Sequence, residues 1–121
     1  MATFSKQLLS GSTGGRLIEV AATASPGTTI HATGTSATVI DEIWLYAVNS
    51  SAADVKLTVQ FGGTTSADDL IEYTVKAEDG LYLVVPGLVL TGDGASARNV
   101  LAFAATTNVI NIGGYVNRIT P

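Results

Sequence analysis

The chain of 121 residues contains no cysteine and a single histidine, His31. Disulfide bonds, thiolate metal sites, iron–sulfur clusters and cysteine nucleophiles are therefore excluded, as is every site that needs two histidines. Charged residues make up only 13% of the chain, against about 25% in an average protein. The six basic residues are scattered and form no stripe, which argues against a nucleic-acid partner.

Long apolar runs are also missing. The longest covers residues 81–85, far short of the roughly 20 residues that cross a bilayer, so we expect no membrane partner. The first residues lack the pattern of a signal peptide, and we expect synthesis in the cytoplasm. The tripeptide Asn49-Ser50-Ser51 matches a glycosylation acceptor, which we discount because nothing else in the sequence indicates secretion.

What the sequence does contain is a series of short β-type segments separated by turn residues. The clearest is 55–61, where Val55, Leu57, Val59 and Phe61 alternate with polar residues. Eight or nine such strands, with no capped helical period, predict an all-β fold, an antiparallel β-sandwich of the jelly-roll type. Pro86-Gly87 is interpreted as a corner between two segments, and Gly113-Gly114 as a bulge or kink.

The N-terminal residues differ in composition from the rest of the chain. Residues 10–15 are only Ser, Gly and Thr, which is typical of a flexible linker. We therefore predict a flexible N-terminal arm over residues 1–15 and a single β-sandwich domain over residues 16–121. Phe4, Leu8 and Leu9 of the arm are apolar enough to dock on another molecule.

Two predicted strands are apolar on both faces. In 41–48, alternation places Ile43 and Leu45 opposite Trp44 and Tyr46, and in 81–85 it places Tyr82 opposite three aliphatic residues. In a β-sandwich the outer face of each sheet is in contact with solvent. An apolar outer face therefore has to be covered by a loop, the arm or another chain. Aromatic residues are enriched in interface cores. We predict that Trp44, Tyr46 and Tyr82 pack between chains.

Candidate catalytic and metal-binding groups are few. His31 lies in a predicted strand without a nucleophile motif, and we expect it to be satisfied by a neighbour rather than to act as a base. The acidic residues cluster, but no calcium-binding loop motif is present, and their positions beside glycines fit turn and cap roles. We therefore expect no enzyme activity, no cofactor and no bound metal. The acidic residues that we weighed as metal ligands are Asp68, Asp69, Glu72, Glu78, Asp79 and Asp93.

The order of segments resembles that of small β-rich virion structural proteins of tailed bacteriophages. The resemblance is carried by residues 8–16, 20–31, 41–49, 80–88 and 102–119. Within that group the chain is most similar to capsid cement, or decoration, proteins. The resemblance implies a homotrimer on the outer capsid surface of the virion, made in the host cytoplasm, that bridges major capsid protein subunits. It transfers no functional residues, because the family has no catalytic motif to match.

Other functions remain open at this point. A tail, tail-tip or fibre-head module that binds a receptor or glycan would have a similar composition. A small enzyme acting on polysaccharide would need a cleft that pairs His31 with a carboxylate. A carbohydrate-binding module without a virion role is the remaining alternative.

Overall fold

The computed structural model describes residues 1–121 and contains β-strands but no helix. The all-β prediction is therefore confirmed. The structure has no helix that is long and apolar enough to span a membrane. The nine strands are β1 (Thr3–Leu8), β2 (Ile18–Glu19), β3 (Thr28–Ala32), β4 (Ile40–Asn49), β5 (Val55–Phe61), β6 (Leu70–Val75), β7 (Tyr82–Leu90), β8 (Asn99–Ala104) and β9 (Ile110–Thr120).

The strands form two antiparallel sheets. The five-stranded sheet has the order β1-β9-β4-β7, and the short strand β2 also pairs with β9. The four-stranded sheet has the order β3-β8-β5-β6. Eighteen buried apolar residues contributed by both sheets form one core, so the arrangement is compatible with a β-sandwich.

Strand β4 illustrates how the sequence builds the core. Its residues alternate without exception between buried and half-buried, and Ile43, Leu45 and Ala47 lie on the buried face. Because side chains point to opposite faces every second residue, one face of β4 faces the other sheet and the other faces outward. On the four-stranded sheet, Leu57 and Val59 of β5 are fully buried, as their alternation predicts.

Strand β7 shows where the sequence interpretation was wrong. The corner predicted at Pro86-Gly87 does not exist, because β7 continues through both residues and Pro86 pairs with Trp44. Register shifts along the β4–β7 pairing leave Gly87 and Val84 without partners, as in a β-bulge. Gly87 has a φ of 80°, which glycine adopts at little cost, so an extra residue is accommodated without ending the strand.

The glycine pair in β9 also lies within a continuous strand. At Gly114 the backbone lies directly against the carbonyl oxygen of Trp44, and a Cβ at this position would overlap that oxygen. Its φ of 154° is also one that other residues rarely adopt. Glycine therefore allows β9 to stay paired with β4 along the whole of β4.

The flexible N-terminal arm predicted for residues 1–15 is corrected by the structure. Residues 3–8 form β1, which pairs with β9, and Leu9 is only 2% exposed, within the core. The Gly11 N–H donates to the Ile30 carbonyl, and the Ser10 hydroxyl accepts from the Ala32 N–H. Serine and glycine are as typical of hydrogen-bonded turns as of linkers, and composition alone does not separate the two.

The adjacent residues Leu8 and Leu9 provide a matched test of this correction. Leu9→Ala should lower the free energy of unfolding by about 2–5 kcal/mol, because it removes packed atoms and leaves a cavity. Leu8 is 58% exposed, so Leu8→Ala should change the same quantity by no more than about 0.5 kcal/mol. Urea denaturation measures both values. Equal effects of the two substitutions would show that residues 1–9 do not pack on the core.

Candidate interaction surface

The outward side of the five-stranded sheet, here called the outer face, is built by four strands. On β4 it presents Glu42, Trp44 and Tyr46, the half-buried residues that alternate with the core positions. Strand β9 places Tyr115 directly beside Trp44, and Asn117 beside Glu42. The register then assigns the remaining positions on the neighbouring strands. They are Phe4, Lys6 and Leu8 on β1, Ile119 on β9, and Leu83, Pro86 and Val89 on β7.

Aromatic rings occupy the centre of the outer face. Trp44 and Tyr115 stack with ring centroids 6.2 Å apart and an angle of 13° between the planes. The Lys6 Nζ atom lies 4.7 Å from the centroid of the Tyr115 ring, within the range of a cation–π contact. The Trp44 Nε1–H donates to Glu42 Oε1 at 2.7 Å. These contacts restrain the rings within the chain, and a surface that is already restrained loses less entropy when it is covered.

The polar groups of this central region already have partners within the chain. Glu42 accepts hydrogen bonds from Trp44 and, at 3.1 Å, from Asn117 Nδ2, and these two bonds lower the pKa of the Glu42 carboxyl. Lys6 lies over an aromatic ring. Covering a polar group costs free energy when it loses water without gaining a partner. The outer face therefore carries charges that another surface can cover at reduced cost.

The large exposed apolar residues are concentrated on one sheet. Each lies on a strand of the five-stranded sheet or one or two residues before such a strand, and none lies on the four-stranded sheet. Phe4, Leu8, Leu83 and Val89 lie on the outer face, whereas Leu88 pairs with Ile43 of the buried face. Apolar surface gathered on one face of a protein usually marks a contact site. The large exposed apolar residues are Met1, Phe4, Leu8, Leu17, Leu81, Leu83, Leu88 and Val89.

The aromatic residues predicted to pack between chains are not all in equivalent positions. Trp44 and Tyr46 lie half-buried on the outer face. Tyr82 instead pairs with Ala47 of the buried face and packs against the core, with its ring 5.9 Å from that of Tyr73. The bulge at Val84 reverses the alternation, so Tyr82 and Leu83 do not occupy the faces that a regular strand would give them. The structure therefore places Tyr82 on the core side of β7 rather than on the outer face with Trp44 and Tyr46.

The Tyr82 hydroxyl also has an intramolecular role. It donates a hydrogen bond to the Asp79 carboxylate, and this bond is the main cause that raises the pKa of Tyr82 to about 12. Tyr82 thus ties the turn before β7 to the edge of the core. Of the three N-terminal apolar residues predicted to dock on another molecule, Phe4 and Leu8 are exposed and Leu9 is not.

The single histidine belongs to a buried polar network. The Ser10 N–H donates to His31 Nδ1 at 3.0 Å, so the ring proton lies on Nε2, which donates to Asp41 Oδ2 at 2.8 Å. Arg118 donates to both oxygens of Asp41, at 2.8 and 2.9 Å. His31 and Asp41 are each 1% exposed, so no substrate reaches them in this conformation. The expectation that His31 is satisfied by a neighbour is confirmed.

Sequence reasoning did not identify the partners in this network. Asp41 and Arg118 are 77 residues apart, and nothing local connects them. Burial would raise the pKa of the Asp41 carboxyl, but the hydrogen bonds from Arg118 and His31 outweigh burial and lower it. The one signal in the sequence is the presence of charged residues in two otherwise largely apolar segments, Asp41 and Glu42 in 40–48 and Arg118 in 109–119. The hydrogen bonds from Arg118 and His31 thus satisfy the buried Asp41 carboxylate within the fold.

The acidic residues singled out in the sequence are dispersed. Asp93 Oδ1 accepts from the N–H groups of Ala95 and Ser96, and Asp69 Oδ2 accepts from Thr65 N–H. Glu72 forms an ion pair with Lys56. Nowhere do three or more His, Cys, Asp or Glu residues converge in a way that could hold a metal ion.

Two remaining candidate sites are also used within the fold. The Asn49 amide is fully buried and donates to the carbonyls of Ala53 and Val75, so it is not presented for glycosylation in the folded chain. A recess beside β8 includes Arg98, whose guanidinium donates to the carbonyls of Thr91 and Gly92.

No protein-family model matches the chain, and no curated protein is significantly similar to it. The outer face therefore remains as the candidate interaction surface of the chain.

The buried network predicts a specific dependence of stability on pH. Asp41→Asn should lower the free energy of unfolding at pH 7 by about 1–3 kcal/mol, because it weakens the charge-assisted hydrogen bonds from Arg118, whose side chain is 32% exposed and keeps access to water. The lowered pKa of Asp41 stabilises the fold at pH values above the unfolded pKa of about 3.9, and this contribution is lost as pH falls through the folded value. The difference in the free energy of unfolding between wild type and Asp41→Asn should therefore become smaller at acidic pH.

Urea denaturation over a series of pH values from neutral to strongly acidic measures that difference. Asp68→Asn is the matched control, because Asp68 is exposed and its side chain forms no hydrogen bond or ion pair, so its loss should have little effect at any pH. A difference that stays constant at every pH would contradict the assigned role of Asp41.

Proposed function

We propose that the chain is a virion structural protein of a tailed bacteriophage, a capsid cement or decoration protein. In this role it binds the outer capsid surface as a homotrimer and bridges neighbouring major capsid protein subunits. The observation that carries the proposal is the concentration of exposed apolar residues on the five-stranded sheet, around a fixed aromatic centre. The sequence resemblance to phage virion proteins supplies the kind of assembly to which this surface would belong.

The chemistry of the outer face supports binding to protein rather than to a small polar ligand. It offers a flat array of aliphatic and aromatic side chains, with Glu42 and Lys6 already engaged within the chain. Interface cores are depleted of charge and enriched in aromatic residues such as Trp44, Tyr46 and Tyr115. His31 and Asp41, which could in principle act in acid–base chemistry, do not lie on this face; they are buried and hydrogen-bonded to each other.

The strand order supports the jelly-roll topology that we infer for the domain. From β2 to β9, every connection crosses from one sheet to the other, except the β5–β6 hairpin. Such crossings place the loops at the two ends of the sandwich and leave the sheet faces free of chain connections. A free sheet face is broad enough to contact another copy or a capsid surface.

Trimer formation would make capsid attachment stronger than one copy allows. Three linked copies that touch several capsid subunits dissociate only when all their contacts break together, because each bound copy holds the others at high effective concentration. A modest contact per copy is then sufficient to clamp the shell. This mechanism needs surfaces for self-association and for the capsid, and it needs no catalytic group.

Self-association and head binding can be measured together. The isolated protein should have the mass of three copies of the 12.4 kDa chain at micromolar concentration. Tyr46→Glu places a charge on the outer face and should weaken binding to heads that lack the chain by about 30-fold or more. Heads purified from the phage that encodes the chain serve as the probe, with binding followed by co-sedimentation.

Thr74→Glu is the matched control, because Thr74 is exposed on β6 of the other sheet and its variant should bind as wild type does. Circular dichroism confirms that each variant is folded. A monomeric wild type would overturn the trimer. A trimer that binds tails or glycans but not heads would favour a tail or tail-fibre module over a cement protein.

A further inference from the structure

The exposed apolar residues of the five-stranded sheet are divided between its two opposite edges. Phe4, 71% exposed, and Leu8, 58% exposed, lie on β1 at one edge. Leu83, Leu88 and Val89, each at least 44% exposed, lie on β7 at the other. Between them, the central strands β9 and β4 carry the stacked rings, which are half-buried. The surface that most needs covering therefore consists of two separate patches.

The two edges differ in the sign of their net charge. Residues 1–19, which contain β1 and β2, include the basic residues Lys6 and Arg16 and one acidic residue, Glu19. Residues 76–98, which contain β7, include three acidic residues, Glu78, Asp79 and Asp93, and two basic residues, Lys76 and Arg98. All eight are exposed. Like edges brought together would repel, whereas unlike edges attract and exclude the wrong pairing.

The backbone geometry limits how the edges can meet. β7 is an edge strand whose pairing with β4 has register shifts at Gly87 and Val84, and its Pro86 has no N–H. Bulges and prolines of this kind prevent an edge strand from extending its sheet into a neighbouring molecule. The contact at β7 is therefore one of packed side chains, to which Leu83 and Val89 contribute the apolar surface.

From these observations we propose that the β1 edge of one copy packs against the β7 edge of a second copy, head to tail. The occupant of each patch is thus another copy of this chain, with Phe4 and Leu8 meeting Leu83 and Val89. Two unlike patches in contact make a heterologous interface, which closes into a ring when the rotation allows. The proposal rests on the self-association proposed above, and it adds which surfaces meet and why the assembly is cyclic.

Two variants that each block one edge test the proposal. Phe4→Glu disables the β1 patch and Val89→Glu disables the β7 patch, and both residues are exposed enough that folding should be unaffected. Each variant alone should have the mass of one copy. An equimolar mixture should form a complex of two copies and no larger species, because the intact β7 patch of one variant meets the intact β1 patch of the other.

Masses are measured by light scattering during size-exclusion chromatography, with Thr74→Glu as the control that should keep the wild-type mass. An oligomeric wild type whose two blocked variants fail to form a two-copy complex would overturn the head-to-tail interface while leaving self-association intact. A wild type of one-copy mass would overturn the proposed trimer itself. The two failures are therefore distinguishable in one set of measurements.

Cysteine cross-linking provides a second measurement, since the chain has no cysteine of its own. Oxidation of mixed Phe4→Cys and Val89→Cys variants should give cross-linked pairs that contain one of each. In a head-to-tail interface position 4 does not meet position 4 of the neighbour, so Phe4→Cys alone should remain uncross-linked. Efficient cross-linking of Phe4→Cys with itself would contradict the proposal.

Discussion

The pairing of β4 with β9 positions most of the features described above. The two strands stay in register from Ile40 beside Ile119 to Asn49 beside Ile110. Within that register Asp41 lies beside Arg118 on the inner side, and Trp44 lies beside Tyr115 on the outer side. A slip of one residue would exchange the two faces, expose the core residues and bury the aromatic rings. The ion pair and the ring stack act on opposite faces, and both favour the same register.

The fold class could be predicted because strand alternation and turn residues are local properties. The strand predicted over residues 55–61 has the bounds that the structure gives to β5. The interpretation failed where a local pattern has two physical outcomes. Pro86-Gly87 is typical of a corner, yet a bulge accommodates both residues within β7. The Ser/Gly stretch after Leu9 is typical of a linker, yet its first residues are hydrogen-bonded to β3.

The candidate surface was predictable only in part, for a related reason. Trp44 and Tyr46 lie on a strand with perfect alternation, so their shared outward face follows from the sequence. Tyr82 is separated from the regular part of β7 by the bulge at Val84, which has no signal in the sequence. Because Val84 is unpaired, Tyr82 lies on the core side of the strand. The partnership of Asp41 with Arg118 depends on β9 returning beside β4, which is a property of topology rather than of any local segment.

The hydrogen bonds of His31 restrict which side chain can occupy its position. The ring accepts a hydrogen bond from the Ser10 N–H at Nδ1 and donates one to the Asp41 carboxylate from Nε2. It therefore acts as a rigid spacer with an acceptor at one end and a donor at the other. Lysine and arginine offer donors only, and carboxylates would bring a second negative charge toward Asp41. A side chain that replaces His31 therefore has to keep both polarities at the same separation if the hydrogen bonds to Ser10 and Asp41 are to survive.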